Sequence, residues 1–367
     1  MIIKSLELSG FRNYENLKID FSSGTNILYG DNAQGKTNIL EAIFVSATTK
    51  SHKGSKDKEI INFGRDEAHI RTILDKNGAE YRVDMHLRSS RSKGIAIDGQ
   101  RLKRASDLIG MLNVVFFSPE DLSIIKNGPS ERRRFMDMEL SQLDSIYLNS
   151  LSKYNKLVVE RNKVLKDLYE HPENNVLLDV QDKQLIEYGS VIIKAREKFL
   201  RDLNEIISPI HEKLTGGKEL LSVYYEPNVE VKDFEKRLAS ARKKDIYVKQ
   251  TTVGPHKDDF SFIIKRGADE EGIDIRKYGS QGQQRTASLS LKLSEIEIVK
   301  RSKKENPVLL LDDVLSELDS NRQNYLLSTI GDIQTIITCT GLDEFVNNRF
   351  EIDKLFRVTE GTVTSEN

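Results

Sequence analysis

Three stretches of the chain carry residue types and spacings suited to a phosphorylated ligand. The first is Gly30-Asp31-Asn32-Ala33-Gln34-Gly35-Lys36-Thr37, followed by Asn38, which fits G-x-x-x-x-G-K-[ST]. Its two glycines let the backbone wrap with N–H groups pointing inward at a β-phosphate, and the helix that follows adds the positive end of its dipole. Lys36 can reach the β- and γ-oxygens and assist catalysis, while the Thr37 hydroxyl suits Mg²⁺. Gly30, Asn32, Ala33, Gln34, Gly35, Lys36, Thr37 and Asn38 are therefore the expected nucleotide-binding residues, and the expected ligand is ATP with Mg²⁺.

The second stretch is Val308-Leu-Leu-Leu-Asp312-Asp313. Four apolar residues in a row read as a buried strand that delivers a carboxylate to its C-terminal end. There Asp312 can hold Mg²⁺ through water beside Thr37, as the second metal-site residue. Asp313 is the expected catalytic group, taking a proton from the attacking water or orienting it.

The third is Tyr278-Gly279-Ser280-Gln281-Gly282-Gln283-Gln284-Arg285-Thr286, just before a predicted helix. A hydroxyl and open N–H groups at a helix start form a second anion site, expected to use Ser280, Gly282 and Gln283. One ATP does not need two such cradles on one subunit. The economical arrangement is a homodimer in which each signature loop caps the γ-phosphate held by the other copy's P-loop.

The elements that must position these groups read as α/β. Short strands run from Ile3 to Tyr29, a helix begins at Asn38, and residues 68–118 return to strands, with Asp98-Gly99 a hairpin turn. From Leu140 to Leu168 apolar residues recur at helical spacing with only the Arg161 slot polar. Pro172 breaks the pattern, and a second stripe runs from Leu178 to Leu214. The two stripes form either an antiparallel hairpin or ordinary helices of a compact lobe, and both are an α-helical insertion. A helix from Thr286 to about Arg301, the Val308–Leu311 strand, another helix and a buried strand at Thr335-Ile-Ile-Thr338 indicate a parallel sheet covered on both faces. The expected segments are an N-terminal head part, 1–130, a helical insertion, 131–216, and a C-terminal head part, 217–367.

Bulk composition narrows the classes. Lys+Arg total 56 against 57 Asp+Glu in 367 residues, so no global basic surface announces nucleic acid. DNA affinity would have to come from local clusters: Lys50, His52, Lys53, Lys56 and Lys58; Arg101, Lys103 and Arg104; Arg132, Arg133 and Arg134; Arg242, Lys243 and Lys244. Cys339 is the only cysteine, which removes intramolecular disulfides and Cys-based metal sites. No apolar run approaches the ~20 residues needed to cross a bilayer, and a soluble cytoplasmic protein is expected.

This ordered set resembles the ABC-type ATPases, specifically their SMC-like branch, and extends to the RecF family of bacterial DNA replication and repair proteins. The further residues that carry the resemblance are Gly10-Phe-Arg-Asn-Tyr14, Phe117-Ser-Pro-Glu-Asp-Leu122, Gly128-Pro-Ser-Glu-Arg-Arg-Arg-Phe-Met-Asp137, Tyr154 with Glu160-Arg-Asn162, Thr252-Val-Gly-Pro-His-Lys-Asp-Asp259 and Ser316-Glu-Leu-Asp319. It implies an ABC-type P-loop ATPase head, a mixed sheet flanked by helices, carrying an inserted α-helical hairpin lobe. Ser316-Glu-Leu-Asp319 looks like the D-loop, and Arg12 with Asn13 like the element that approaches the nucleotide phosphates.

The implied function is ATP-dependent DNA binding in recombinational repair and replication restart. The dimer would clamp duplex DNA near single-strand gaps. With RecO- and RecR-like partners it would promote recombinase loading, and slow hydrolysis would release it. Two positions depart from the broader ABC pattern: Ser118-Pro-Glu120 stands where a Gln senses the γ-phosphate, and Thr338-Cys-Thr340 where a switch His follows the last core strand. The alternatives are a nucleotide-gated scaffold without functional turnover and the motor subunit of a transporter; the missing His, the Phe-Arg-Asn-Tyr element and the hairpin disfavour the second. His256 reads as part of a structural loop in preference to a metal or catalytic group. Tyr14 reads as buried in the first sheet in preference to stacking on adenine.

Overall fold

The computed structural model describes residues 1–267, 271–342 and 351–366. In chain order the first elements are β1 (Ile2–Phe11), β2 (Tyr14–Asp20), β3 (Thr25–Tyr29), α1 (Lys36–Thr48), α2 (Asp57–Ile60), β4 (Glu67–Lys76), β5 (Ala79–Arg88), β6 (Gly94–Ile97), β7 (Gln100–Arg101) and β8 (Val114–Phe117). Then come α3 (Leu122–Lys126), α4 (Pro129–Leu143), α5 (Ser145–Asp167), α6 (Asn175–Leu214), β9 (Leu220–Glu226), α7 (Phe234–Val248), β10 (Asp259–Lys265), β11 (Ile273–Asp274) and α8 (Ile275–Tyr278). The rest are α9 (Gln281–Lys303), β12 (Val308–Asp312), α10 (Ser320–Ile330), β13 (Thr335–Cys339), β14 (Lys354–Thr359) and β15 (Thr362–Ser365).

Two compact units emerge, Met1–Asp121 with Glu295–Asn367, and Leu122–Ser294. The first holds two six-stranded sheets. One, ordered β2-β1-β4-β5-β6-β7, is antiparallel. Its strands alternate buried and exposed residues, so one face packs inward and the other meets water. The β6–β7 turn is Asp98-Gly99, both with positive φ (50° and 80°), as a two-residue hairpin turn requires.

The other sheet is ordered β15-β14-β3-β13-β12-β8, with β14, β3, β13, β12 and β8 parallel. Its central strands are buried along their length, the pattern of a parallel sheet covered on both faces. Helix α1 packs against strands of both sheets, and from Ile39 to Thr48 every residue is buried. A helix enclosed on all sides shows no amphipathic stripe. The buried Gln334 carboxamide ties the sheets together: its Oε1 accepts from Ile3 N at 2.6 Å and its Nε2 donates to Ile3 O at 2.7 Å.

The second unit is wider than the helical segment expected over 131–216. Strands β11-β10-β9 pair with each other to form a sheet of their own, packed on α6 and α4. They share a unit with the helices, together with the start of α9. The outer edge of β9 is covered by Asn204 of α6, whose carboxamide both donates to Val223 O (2.5 Å) and accepts from Val223 N (2.7 Å). The backbone groups of Val223 are thereby taken up at the edge of the sheet.

The apolar stripe starting at Leu140 is two helices, because Asp144 stops α4 and N-caps α5, accepting from Ile146 N and Tyr147 N. The polar Arg161 slot is fully buried, and its guanidinium holds Asp182 at 2.7 Å and Asp245 at 2.8 Å. A charge enclosed this way is tolerated because it is paired.

Candidate functional site

The P-loop joins the end of β3 to α1 and is shaped by three positive φ angles: Gly30 at 147°, Ala33 at 65° and Gly35 at 113°. At Gly30 a Cβ would lie 2.3 Å from Val358 O, and at Gly35 it would lie 2.5 Å from Asn13 Nδ2. Side chains are excluded at both positions by backbone angle and by space. Lys36 is buried, and its Nζ donates to Gly30 O (2.5 Å) and Asp31 O (2.7 Å), closing the loop into a ring. Burial lowers the pKa of this ammonium below its ordinary value, with Asp313 the strongest opposing charge. Asp31, Asn32 and Ala33 form the exposed rim.

Strand order brings the second stretch to the first. With β13 between β3 and β12, Asp312 ends its strand beside the start of α1, and Thr37 Oγ1 donates to Asp312 Oδ1 at 2.7 Å. Residues 275 positions apart in sequence are thus joined directly. Asp313 turns out of the strand with φ 53°. Its N–H is held by Thr338, at 3.2 Å from the carbonyl oxygen and 3.1 Å from the hydroxyl. Thr338 also donates to Asp312 Oδ1 at 2.8 Å. The sequence singled out Thr338 only as part of the segment lacking a switch His; its place across from Asp312 follows from the β12–β13 register. Thr340, just past β13, is exposed.

The Gly10–Tyr14 element braces the loop from below. Asn13 Nδ2 donates to Gln34 O (3.2 Å), and Asn13 Oδ1 accepts from Asn38 Nδ2 (2.8 Å). Arg12 grips the wholly buried Glu41 of α1 through Nε (2.7 Å) and Nη2 (2.8 Å), and Nη1 donates to Glu59 O (2.8 Å). Burial alone would raise the Glu41 carboxyl pKa; hydrogen bonds from Arg12 and Ser51 outweigh it and hold the group below the usual carboxylate range. Tyr14 is buried as expected, and burial pushes its phenol up.

The β14–β15 turn supplies a brace that the sequence did not signal. Glu360 N donates to Gln34 Oε1 (2.5 Å) and Gly361 N to Gln34 O (3.3 Å). Gln34 is therefore held on two sides, by Asn13 and by the hairpin turn.

In the second unit, Ser280 and Gln283 form a reciprocal cap at the start of α9. Ser280 N donates to Gln283 Oε1 (2.9 Å), and Gln283 N to Ser280 Oγ (3.3 Å). Ser280, Gln281, Gly282 and Arg285 are exposed, so this helix end is presented to solvent. Asp319 in the Ser316–Asp319 segment N-caps α10 through Arg322 N. Among the basic clusters, Lys50, Lys53, Lys56, Lys58, Arg101, Lys103 and Arg104 are exposed, Arg104 pairing with Asp107. Arg132 is buried against Asp259, and Arg242 pairs with Asp179, so these two belong to the framework. His52 stacks near Phe116, ring centroids 4.3 Å apart.

His256 is a framework residue too. Its Nε2 meets the Thr251 carbonyl at 2.9 Å, which can only accept, so Nε2 carries the proton and Nδ1 accepts from the Tyr154 hydroxyl at 2.8 Å. Burial pulls its pKa down to about 4.

The family model of the RecF/RecN/SMC N terminal domain matches residues 2–364. A protein of Agathobacter rectalis described as DNA replication and repair protein RecF is 62% identical over 363 residues, 99% of each chain. The chain belongs to the RecF family. Its RecF relative in Lachnospira eligens is 60% identical over 369 residues, covering 100% of both chains. Two solved structures of the recombination mediator protein RecF in the RecFOR pathway, with ATPrS and with ATP, share 36% identity with it. The first covers 100% of this chain and 98% of its own at a TM-score of 0.90; the second covers 99% of each at 0.89. An Smc head domain from Pyrococcus furiosus matches at 17% identity and a TM-score of 0.57, covering 99% of this chain and 95% of that one, and shares the ABC-type ATPase head fold. Among the described residues, no helix is long and apolar enough to cross a membrane.

Proposed function

We propose that the protein is an ATP-driven DNA clamp of recombinational repair. The observation that carries this reading is the 2.7 Å hydrogen bond from Thr37 to Asp312, which joins the phosphate loop to the strand-end carboxylates in one centre. Gly30 and Asn32–Asn38 cradle the β- and γ-phosphates through backbone N–H groups, and Lys36 places its charge against them. The donors converging at Thr37 and Asp312 are hard oxygens, which fit Mg²⁺. Bound there, the metal would neutralise charge on the phosphate oxygens; Asp312 would hold one of its waters and Asp313 would orient the attacking water. Arg12 reaches the site through Glu41 and α1, while Asn13 holds the loop.

The exposed Ser280 helix end then serves a second copy. Its Ser280, Gly282 and Gln283 lid the γ-phosphate held by the partner's P-loop, so ATP stabilises a homodimer by binding the closed state more tightly than the open one. DNA near single-strand gaps is the clamped ligand and RecO- and RecR-like proteins are the partners, in line with the RecFOR pathway of the solved relatives. The exposed lysines from Lys50 to Lys58, doubled by dimerisation, supply phosphate contacts that weaken steeply with salt. Hydrolysis is weak and stimulated by DNA, in the cytoplasm.

A neutral Thr340 in place of a charged polariser favours a second reading, a scaffold in which turnover is incidental. Lys36→Ala tests the shared premise. Loss of ATP binding together with loss of ATP-dependent binding to gapped duplex supports the site, and wild-type ATP affinity in that variant defeats it.

A further inference from the structure

We propose that Thr338 is a positioning residue for both strand-end carboxylates, and through them for the metal; this rests on the reading of the site as a Mg²⁺–ATP centre. Thr338 lies on β13, wholly within the parallel core, and is 2% exposed. Its hydroxyl has its nearer acceptor in Asp312 Oδ1 at 2.8 Å, with Leu311 O more distant at 3.5 Å, and its oxygen accepts from Asp313 N at 3.1 Å.

Each contact has a consequence. Asp312 Oδ1 receives two hydroxyl protons, from Thr37 and from Thr338. That fixes the carboxylate's rotation and leaves Oδ2 to hold a metal-bound water. Asp313 has a left-handed backbone, φ 53°, which a non-glycine residue adopts at a cost. Its N–H is gripped by both oxygens of Thr338, and this hold keeps the residue turned out of the strand. One residue thus helps set the direction of the metal-holding and water-orienting carboxylates together, its hydroxyl touching both. Such outer hydrogen bonds around a metal centre are worth about 10–100-fold in metal affinity or activity.

A hydroxyl that only satisfied a buried group would affect stability alone. Thr338→Val keeps the branched shape suited to a strand and removes both hydroxyl contacts, while the carbonyl's bond to Asp313 N stays. Nucleotide affinity is measured with Mn²⁺ in place of Mg²⁺, following the metal by electron paramagnetic resonance, and again in EDTA; turnover and thermal unfolding are recorded alongside. T338V is expected to raise half-saturating Mn²⁺ about tenfold or more and to lower kcat to a similar degree, with affinity in EDTA unchanged. T338S, which keeps the hydroxyl, should stay within about twofold of wild type. If T338V does not fold, T338A carries the same expectation. A folded, hydroxyl-free variant with wild-type Mn²⁺ affinity and kcat overturns the assignment, as does a T338S as impaired as T338V. A wild-type protein with no metal-dependent nucleotide binding would instead overturn the reading of the site itself, a result visible before any variant is made.

Discussion

Arg12 and Glu41 form a two-bonded ion pair, 2.7 and 2.8 Å, that fastens the turn after β1 to a fully buried carboxylate in the middle of α1. The pair links the N-terminal sheet to the helix whose first turn carries Lys36 and Thr37.

Removing one partner of such a pair leaves the other charge buried and uncompensated, at a cost of about 3–5 kcal/mol. Arg12→Ala is therefore expected to lower unfolding free energy by about 3 kcal/mol in the absence of any nucleotide. Denaturant unfolding of the ligand-free variant measures this. A change below about 0.5 kcal/mol would mean that Arg12 does not serve the framework.

The burial of His256 makes stability depend on acidity. His256 is held neutral in the folded state with a pKa near 4, against an ordinary 6.5. The unfolded chain therefore binds its proton first as pH falls, and stability present above about 6.5 is lost between there and about 4. By linkage this histidine alone removes about 2 kcal/mol at pH 5. Unfolding midpoints of wild type and His256→Gln, compared at pH 7.5 and pH 5, should show a smaller acid-induced fall in the variant. Equal falls would contradict the neutral assignment.

Asp313 separates the clamp from the scaffold. Asp313→Asn keeps the size of the side chain and removes its capacity as a base. We expect ATP binding to survive, turnover to fall by about 100-fold or more, and the dimer formed with ATP to persist. DNA dwell times measured by single-molecule fluorescence should lengthen accordingly. Dwell times unchanged from wild type would favour the scaffold.

The parts of this site that were readable in the sequence are those written locally. The P-loop, the Val308–Asp313 strand and the Ser280 cap each depend on a few consecutive residues, and the buried parallel strands show as apolar runs. What was hidden depends on partners distant in the chain. That Thr338 faces Asp312 is a matter of strand register, and that Gln34 is held by Glu360 and Gly361 requires β14 to lie beside β3. The lobe's extent was hidden for a similar reason: β9 and β10 alternate like any half-exposed strands, and only their pairing with each other shows that they do not join the head sheets. Asp144 was overlooked because an apolar stripe continues in phase across the cap that interrupts it.

Sedimentation velocity of the wild-type protein with ATP and Mg²⁺, with and without duplex, tests the central claim most directly, with Ser280→Arg as the comparison. A two-chain species that requires ATP, and is lost in S280R while that variant still binds nucleotide, is the result expected if one copy's helix end lids the other's γ-phosphate. A wild-type protein that remains a single chain at saturating nucleotide and high concentration, with DNA and without it, would contradict the account.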